Sequence, residues 1–377
     1  EVKLRAAQFA PLSQKAPFKA ALKTLYFGGG TPSLLGAEGL GKLLEAVQDI
    51  VPFEENPEVT VEVNPAARLP FTELAKLGIT RVSIGVQALD DKNLAHLGRT
   101  HSAAEALATV KAATAAGLSV SSDLIYGYRG LTCEALAKAA SALIACGVNH
   151  LSAYSLESAE LASDSAAATD DTANATCAIV HTTDAIVHTT GTIVHAEAEE
   201  ERAHLLALTE TLAALGVIRY EVSNFARPGF ESRHNTNYWE GGGYLGLGPG
   251  AHGYLPEVGA FGQRYENRPD LASYRASVQK GELPPMTHEL LTQQEALLER
   301  LLLNLRRASS FSTSDILPGS PQGLSTLRKL LQELCRSGDL VALGSDYAPT
   351  PTGLERADGL ALWLFERLKG QIIHFSG

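Results

Sequence analysis

The stretch "EVTVEVNP", residues 58–65, decides the fold. Side chains alternate along an extended chain, so Val59, Val61 and Val63 fall on one face and Thr60, Glu62 and Asn64 on the other. The pattern returns in "RVSIGVQA", 81–88, where Val82, Ile84 and Val86 oppose Ser83, Gly85 and Gln87. It returns again in "SVSSDLI", 119–125, where Val120, Ser122 and Leu124 oppose Ser121, Asp123 and Ile125. A parallel strand buried between two helical layers is apolar on both faces, and these are not. If helices cover the apolar faces, the polar faces must line an interior that holds ligand and water, because an isolated carboxylate is costly to bury. An open or incomplete βα barrel meets that condition better than a flat doubly wound sheet does. Glu62, Gln87 and Asp123 stand towards the C-terminal ends of their strands, the rim where βα barrels place their sites.

The strand candidates are "LKTLYF" (22–27), "EVTVEV" (58–63), "RVSIGVQ" (81–87), "LSVSSDLIY" (118–126) and "HLSAYSLE" (150–157), with helix-like runs between them, giving βα repeats. The helices between have readable ends. Ser102 with Glu105 forms a capping box, and Leu107, Val110 and Ala113 supply a buried stripe before Gly117. Thr132 to Gly147 reads the same way, with Leu136, Leu143 and Ile144 inward. In "LYFGGGTPSLL" (25–35), three glycines follow the first strand, so something comes too close to the main chain there for a side chain.

The 377 residues, 45% hydrophobic, are enough for one large domain and a smaller one. A net charge of −11 argues against a general nucleic-acid surface or a membrane-surface binder and for a soluble protein with a small-molecule ligand. No apolar run approaches the length of a membrane span, and the start lacks the apolar core of a secretory signal, so a reducing compartment is expected. Cys133, Cys146, Cys177 and Cys335 are too scattered for a metal-binding pair and read as incidental thiols. The chain begins at Glu1 and its single methionine is Met286, which predicts a truncated or processed N-terminus.

Residues 158–201 break the pattern. They are rich in Ala, Thr and Asp and carry a seven-residue repeat that places His181, His188 and His195 in register. Low-complexity flanks favour local repeat expansion over a metal site, so the segment is predicted to be an insertion without a catalytic role. Order resumes with a helix ended by Gly216, then a Gly- and aromatic-rich run containing Arg233, His234, Asn235, Asn237 and Trp239, with glycines from 241 to 253 pressed against something. After about residue 288 the chain reads as helical, closing in a small hairpin and a last helix, a winged-helix-like tail with too few basic residues for DNA. The predicted divisions are a partial barrel over 1–157, the insertion, barrel completion over 202–287, and an α+β C-terminal domain over 288–377.

The stretches "LYFGGGTPSLL", "EVNP", "RVSIGVQALDDKNLAHLGRTH", "DLIYGY", "YEVSNFARPG" and "RHNTNYWEGGGYLGLGPGAH" together resemble the radical S-adenosylmethionine proteins related to oxygen-independent coproporphyrinogen oxidase, most closely the heme chaperone branch. The likeness covers residues 20–157 and 203–370. It implies a six-unit TIM-like barrel, here without its first strand, which would leave an unpaired edge beside "LKTLYF". It implies that Gly29, Gly30 and Thr31 lie against the methionine part of S-adenosylmethionine. Glu62, Gln87, Arg99 and Asp123 would then contact its polar and ribose groups, with Glu157 a further rim position. His234, opening "HNTNYW", would hold heme, and an imidazole suits iron. Heme delivery to partner proteins in the cytoplasm, or in an organellar matrix or stroma, is the implied function. Radical decarboxylation of a porphyrinogen is the alternative.

Two departures stand out. The family's CxxxCxxC loop, which holds a 4Fe-4S cluster, does not occur in this chain, and Arg129 stands where a proline is usual. The scattered cysteines are not expected to assemble the cluster. A fragment of an active family member and a degenerate form that only binds both remain open.

Overall fold

The computed structural model describes residues 1–9, 21–156, 195–318 and 321–370. The chain forms two compact units. One contains 21–156, 195–219 and Ser223–His234, and the other contains 1–9, Tyr220–Val222 and the described residues from Asn235 onwards. The first helix in the chain, α1 (Val2–Phe9), belongs to the second of these.

The first unit is built on a seven-stranded sheet. Strand β1 (Leu22–Phe27) is followed by α2 (Gly36–Gln48), β2 (Phe53–Val63), α3 (Phe71–Leu77) and β3 (Arg81–Gln87). Then come α4 (Asp91–His96), α5 (Ala103–Ala115), β4 (Ser119–Tyr126), α6 (Cys133–Ala145) and β5 (His150–Ser155). After the undescribed 157–194, α7 (Ala198–Ala214), β6 (Ile218–Arg219) and β7 (Asn224–Ala226) complete the sheet. Strands β1 to β5 are parallel neighbours in chain order, and β7 then β6 continue the sheet antiparallel. Sequential parallel order places every helical crossover on the same side, since such crossovers are right-handed. That is the winding of a partial βα barrel.

The two faces of the sheet divide as the alternation predicts. Val59, Val61, Val82, Ile84, Val120, Leu124, Leu151 and Phe225 are buried in one core with Leu40, Leu44, Leu74, Val110, Leu143 and Leu212 from the helices. Each such side chain contributes roughly 1.5–3 kcal/mol on burial. The parallel register aligns the other face, with Glu62 opposite Ser83, Ser83 opposite Ser121, and Asp123 opposite Ser152. The helix ends follow the sequence signals. Ser102 and Glu105 make both hydrogen bonds of a capping box, Thr132 caps α6 through Ala135, and Gly117 and Gly147 take left-handed φ at the exits. Strand β1 pairs with β2 alone, at the end of the sheet order among the described residues.

Helix α8 (Arg233–Trp239) starts in the first unit, with Arg233 and His234, and ends in the second, which contains a three-stranded antiparallel sheet. Its strands are β8 (His252–Leu255), β9 (Gln263–Asn267) and β10 (Met286–Leu290), with α9 (Leu271–Gln279) between the last two. Helices α10 (Gln293–Leu305), α11 (Thr313–Ile316) and α12 (Pro321–Arg336) precede the hairpin β11 (Leu340–Leu343) and β12 (Asp346–Pro349). Helices α13 (Pro351–Glu355) and α14 (Ala357–Leu368) close the unit. Leu301, Leu305, Leu327, Leu331 and Leu364 form its core. Part of the glycine run is pressed against its own sheet: a Cβ on Gly246 would collide with the main chain of His252, and one on Gly253 with the Tyr265 ring. The Tyr265 hydroxyl accepts from the Gly246 N–H at 2.9 Å and donates to its carbonyl at 3.1 Å.

Candidate functional site

The loop after β1 carries two different kinds of glycine. Gly29 and Gly30 hold φ of +76° and +130°, with open space where a Cβ would point. Only glycine takes such angles without strain, and the exposed main chain of 28–31 is left accessible. Gly28 is excluded from change by crowding instead. A Cβ there would lie 2.6 Å from Tyr26 Cε1 and 2.8 Å from Glu62 Oε1.

Tyr26 is held at both ends. Its hydroxyl donates to Glu62 Oε1 at 2.8 Å, and its ring stacks on the His234 imidazole with centroids 5.1 Å apart and planes 21° from parallel. Burial, then the charges of Glu62 and Asp123, push the Tyr26 phenol well above its ordinary pKa, so it remains a donor. His234 is itself placed by two strands. Its Nδ1 hydrogen-bonds Thr24 Oγ1 at 2.8 Å, and its backbone N–H donates to Glu58 Oε1 at 2.9 Å. Glu58 also accepts from the Arg233 N–H at 3.0 Å and from Ser232 Oγ at 3.3 Å, and pairs with Arg81 at 3.7 Å. A carboxylate at the first turn of a helix satisfies N–H groups that have no intrahelical partner. Glu58 therefore fixes where the "RHNTNYW" segment begins.

Deeper in the barrel, Asp123 is 6% exposed and accepts from Ser83 Oγ at 3.2 Å. Burial pushes its carboxyl up to about 6, against the opposing pull of Ser152, Ser83, Arg99 and Arg81. Arg99 is lowered by burial and raised by the Asp123 charge. Its Nε and Nη2 are buried with no hydrogen-bond partner among the described residues. A guanidinium left with two unmet donors is costly, and a bound group carrying acceptors would relieve it. Gln87, 6% exposed, is the one described non-glycine residue with positive φ, at +65°, where the β3–β4 register slips between Ile84 and Gln87. Left-handed backbone at a bulge on a strand end costs energy and is commonly retained where a side chain must be aimed.

The structure thus brings Glu62, Asp123, Arg99 and Gln87 to one polar face of the sheet and its rim, with Gly29, Gly30 and Thr31 on the loop beside Glu62. His234 joins them through Tyr26. Glu157 lies outside the described residues, as do His181, His188 and Cys177. Sequence reasoning missed Thr24, Tyr26, Glu58 and Arg81. The same alternation could have found them, because Thr24 is opposite Glu58, Tyr26 opposite Thr60, and Thr60 opposite Arg81 in the register.

These residues fit a polar cofactor such as S-adenosylmethionine: open main chain, two carboxylates, and a guanidinium lacking acceptors. They do not fit a 4Fe-4S cluster. Cys133 and Cys146 sit at opposite ends of α6, about 20 Å apart by helical rise, and Cys335 is in the other unit. Among the described residues no group of three or more His, Cys, Asp or Glu side chains could hold a metal.

The sequence model of the radical SAM superfamily matches residues 6–143. The chain is 35% identical over 287 residues to the heme chaperone HemW of Mycobacterium tuberculosis, covering 75% of this chain and 67% of that one. It is 32% identical over 360 residues to the mitochondrial radical S-adenosyl methionine domain-containing protein 1 of Bos taurus, covering 92% and 76%. Among solved structures, coproporphyrinogen III oxidase (HemN) from Escherichia coli superposes with a TM-score of 0.70 at 18% identity, covering 97% of this chain and 82% of that one. That likeness supports the fold. Among the described residues no helix is long and apolar enough to cross a membrane.

Proposed function

The chain belongs to the radical S-adenosylmethionine family that includes the HemW heme chaperones, and on that footing we propose that it binds heme through His234, binds S-adenosylmethionine at the barrel rim, and delivers heme to acceptor proteins. The supporting observation is the position of Tyr26, stacked on His234 and hydrogen-bonded to Glu62. The histidine implied to hold heme and a carboxylate implied to hold cofactor are thereby neighbours in one unit. Main-chain groups of Gly29, Gly30 and Thr31 take the amino and carboxylate ends of the methionyl group. Glu62 and Asp123 accept from ligand N–H and O–H groups, Gln87 offers both a donor and an acceptor, and Arg99 donates. Thr24 and Glu58 hold the imidazole and the start of its helix. Bound S-adenosylmethionine would supply a cationic sulfonium, and bound heme would supply an iron that the His234 imidazole would ligate. The thiolate ligands of a 4Fe-4S cluster are not among these residues. The proposed compartment is the cytoplasm or, by the mitochondrial name of the Bos taurus relative, an organellar matrix.

Titration with hemin tests the reading. Wild type is expected to give a shifted Soret band, and His234→Ala to weaken binding at least tenfold with loss of that shift. Identical spectra for the two proteins would remove His234 as the ligand. Calorimetry with S-adenosylmethionine tests the second site. Arg99→Gln removes a charged hydrogen-bond donor, a loss of roughly 1.5–3 kcal/mol, so affinity should fall about 10- to 150-fold. Unchanged affinity would take Arg99 out of the site.

A further inference from the structure

We propose that Tyr26 couples the two ligand positions, so that S-adenosylmethionine at the barrel rim weakens heme binding at His234, and heme weakens S-adenosylmethionine binding by the same factor. The proposal rests on the heme and cofactor reading above and adds a regulation of that site. Its basis is that Tyr26 is a single side chain with both ends engaged. The hydroxyl donates to Glu62 Oε1 at 2.8 Å, while the ring lies against the His234 imidazole at 5.1 Å between centroids. The main chain closes the third side, since a Cβ on Gly28 would come within 2.6 Å of the ring and 2.8 Å of the same Glu62 oxygen. Loop, carboxylate and imidazole therefore share one ring.

The ring cannot turn independently of its neighbours. A ligand donor at Glu62 Oε1 shares that oxygen's lone pairs with the Tyr26 hydroxyl, and the competition weakens the Tyr26 bond. A hydroxyl held less firmly by Glu62 lets the ring shift, and any shift of the ring disturbs the face on which His234 rests. The imidazole has little slack, because Thr24 holds its Nδ1 at 2.8 Å and Glu58 holds its backbone N–H at 2.9 Å. Thr24 and Tyr26 stand two positions apart on one strand, so both supports move with β1. Coupling between two binding sites is reciprocal by thermodynamic necessity, and factors of about 5 to 150 are usual.

The test is hemin titration by Soret absorbance with and without saturating S-adenosylmethionine, in wild type and Tyr26→Phe. Phenylalanine keeps the ring on His234 and removes the hydroxyl that reports on Glu62. Wild type is expected to bind hemin about fivefold more weakly when S-adenosylmethionine is present, and Tyr26→Phe to be indifferent to it. A second arm needs no variant: the calorimetric affinity for S-adenosylmethionine in wild type should fall by the same factor when hemin is bound. A His234-dependent Soret band that ignores demonstrably bound S-adenosylmethionine overturns the coupling and leaves the heme reading standing. The same dependence persisting in Tyr26→Phe overturns the role of Tyr26, and tightening instead of weakening overturns the competition for Glu62. A wild type that binds no hemin, or no S-adenosylmethionine, overturns the underlying reading and the coupling with it.

Discussion

Asp123→Asn is expected to stabilise the barrel unit at pH 8 by roughly 2–3 kcal/mol, to leave its stability near pH 4 almost unchanged, and to weaken S-adenosylmethionine binding. In the fold the carboxyl is pushed up to about 6 from an ordinary 3.8, chiefly by burial. Between those values the folded chain keeps a proton that the unfolded chain has lost. The unfolded state then binds fewer protons, so stability falls as pH rises from about 4 to 6 and levels off above. Asparagine has no charge to bury and should flatten that slope. Urea denaturation across pH 4–8 measures it, and a variant with the wild-type slope would show that another group is responsible. Opposite effects on stability and ligand affinity would mark a carboxylate retained for binding rather than for folding.

Arg81→Met is expected to destabilise the same unit by about 3–5 kcal/mol, because it leaves Glu58 buried without its cationic partner. Arg81 is 4% exposed and Glu58 8%, and the Arg81 guanidinium also donates to the Phe230 carbonyl at 3.0 Å. Arg81→Met with Glu58→Leu should recover most of that loss, since replacing both members of a buried pair with apolar groups is often nearly neutral. Heme affinity should stay low in the double variant. The N–H groups of Arg233 and His234 would have lost the carboxylate that fixes them. A double-mutant cycle in urea, paired with hemin titration of all four proteins, separates the two effects. A single substitution that costs under about 1 kcal/mol would show that the pair is not a structural unit.

Much of the barrel was legible in short stretches. Strands β1 and β3 begin and end where the sequence reading put them, and β4 starts one residue later, at Ser119. Strand β2 begins five residues earlier than the reading, at Phe53. Pro57 lacks an N–H and reads as a strand boundary, but the β1–β2 register shifts between Leu22 and Thr24 and lets the strand continue past it. Parity with Ser83 and Gly85 assigns Gln87 to the polar face. The register slip after Ile84 makes its final aim a matter of the bulge, not of parity. Of the glycines from 241 to 253, Gly243, Gly246 and Gly253 are pressed against the adjoining sheet, Gly242 against Asn237, and Gly248 faces open space.

What the sequence determined alone is the two-faced strand. Alternation has a period of two residues, so a few consecutive positions specify which side chains meet helices and which line the interior. Tertiary structure decided the support of the site. Thr24 and His234 are 210 residues apart, and Glu58 and the His234 N–H are 176 apart, so no local pattern encodes either bond. Those partners meet only because successive βα units wind the sheet around and return the later chain to the first strands. Burial then acts on what has been assembled there: it raises Asp123 and leaves Arg99 with donors unmet.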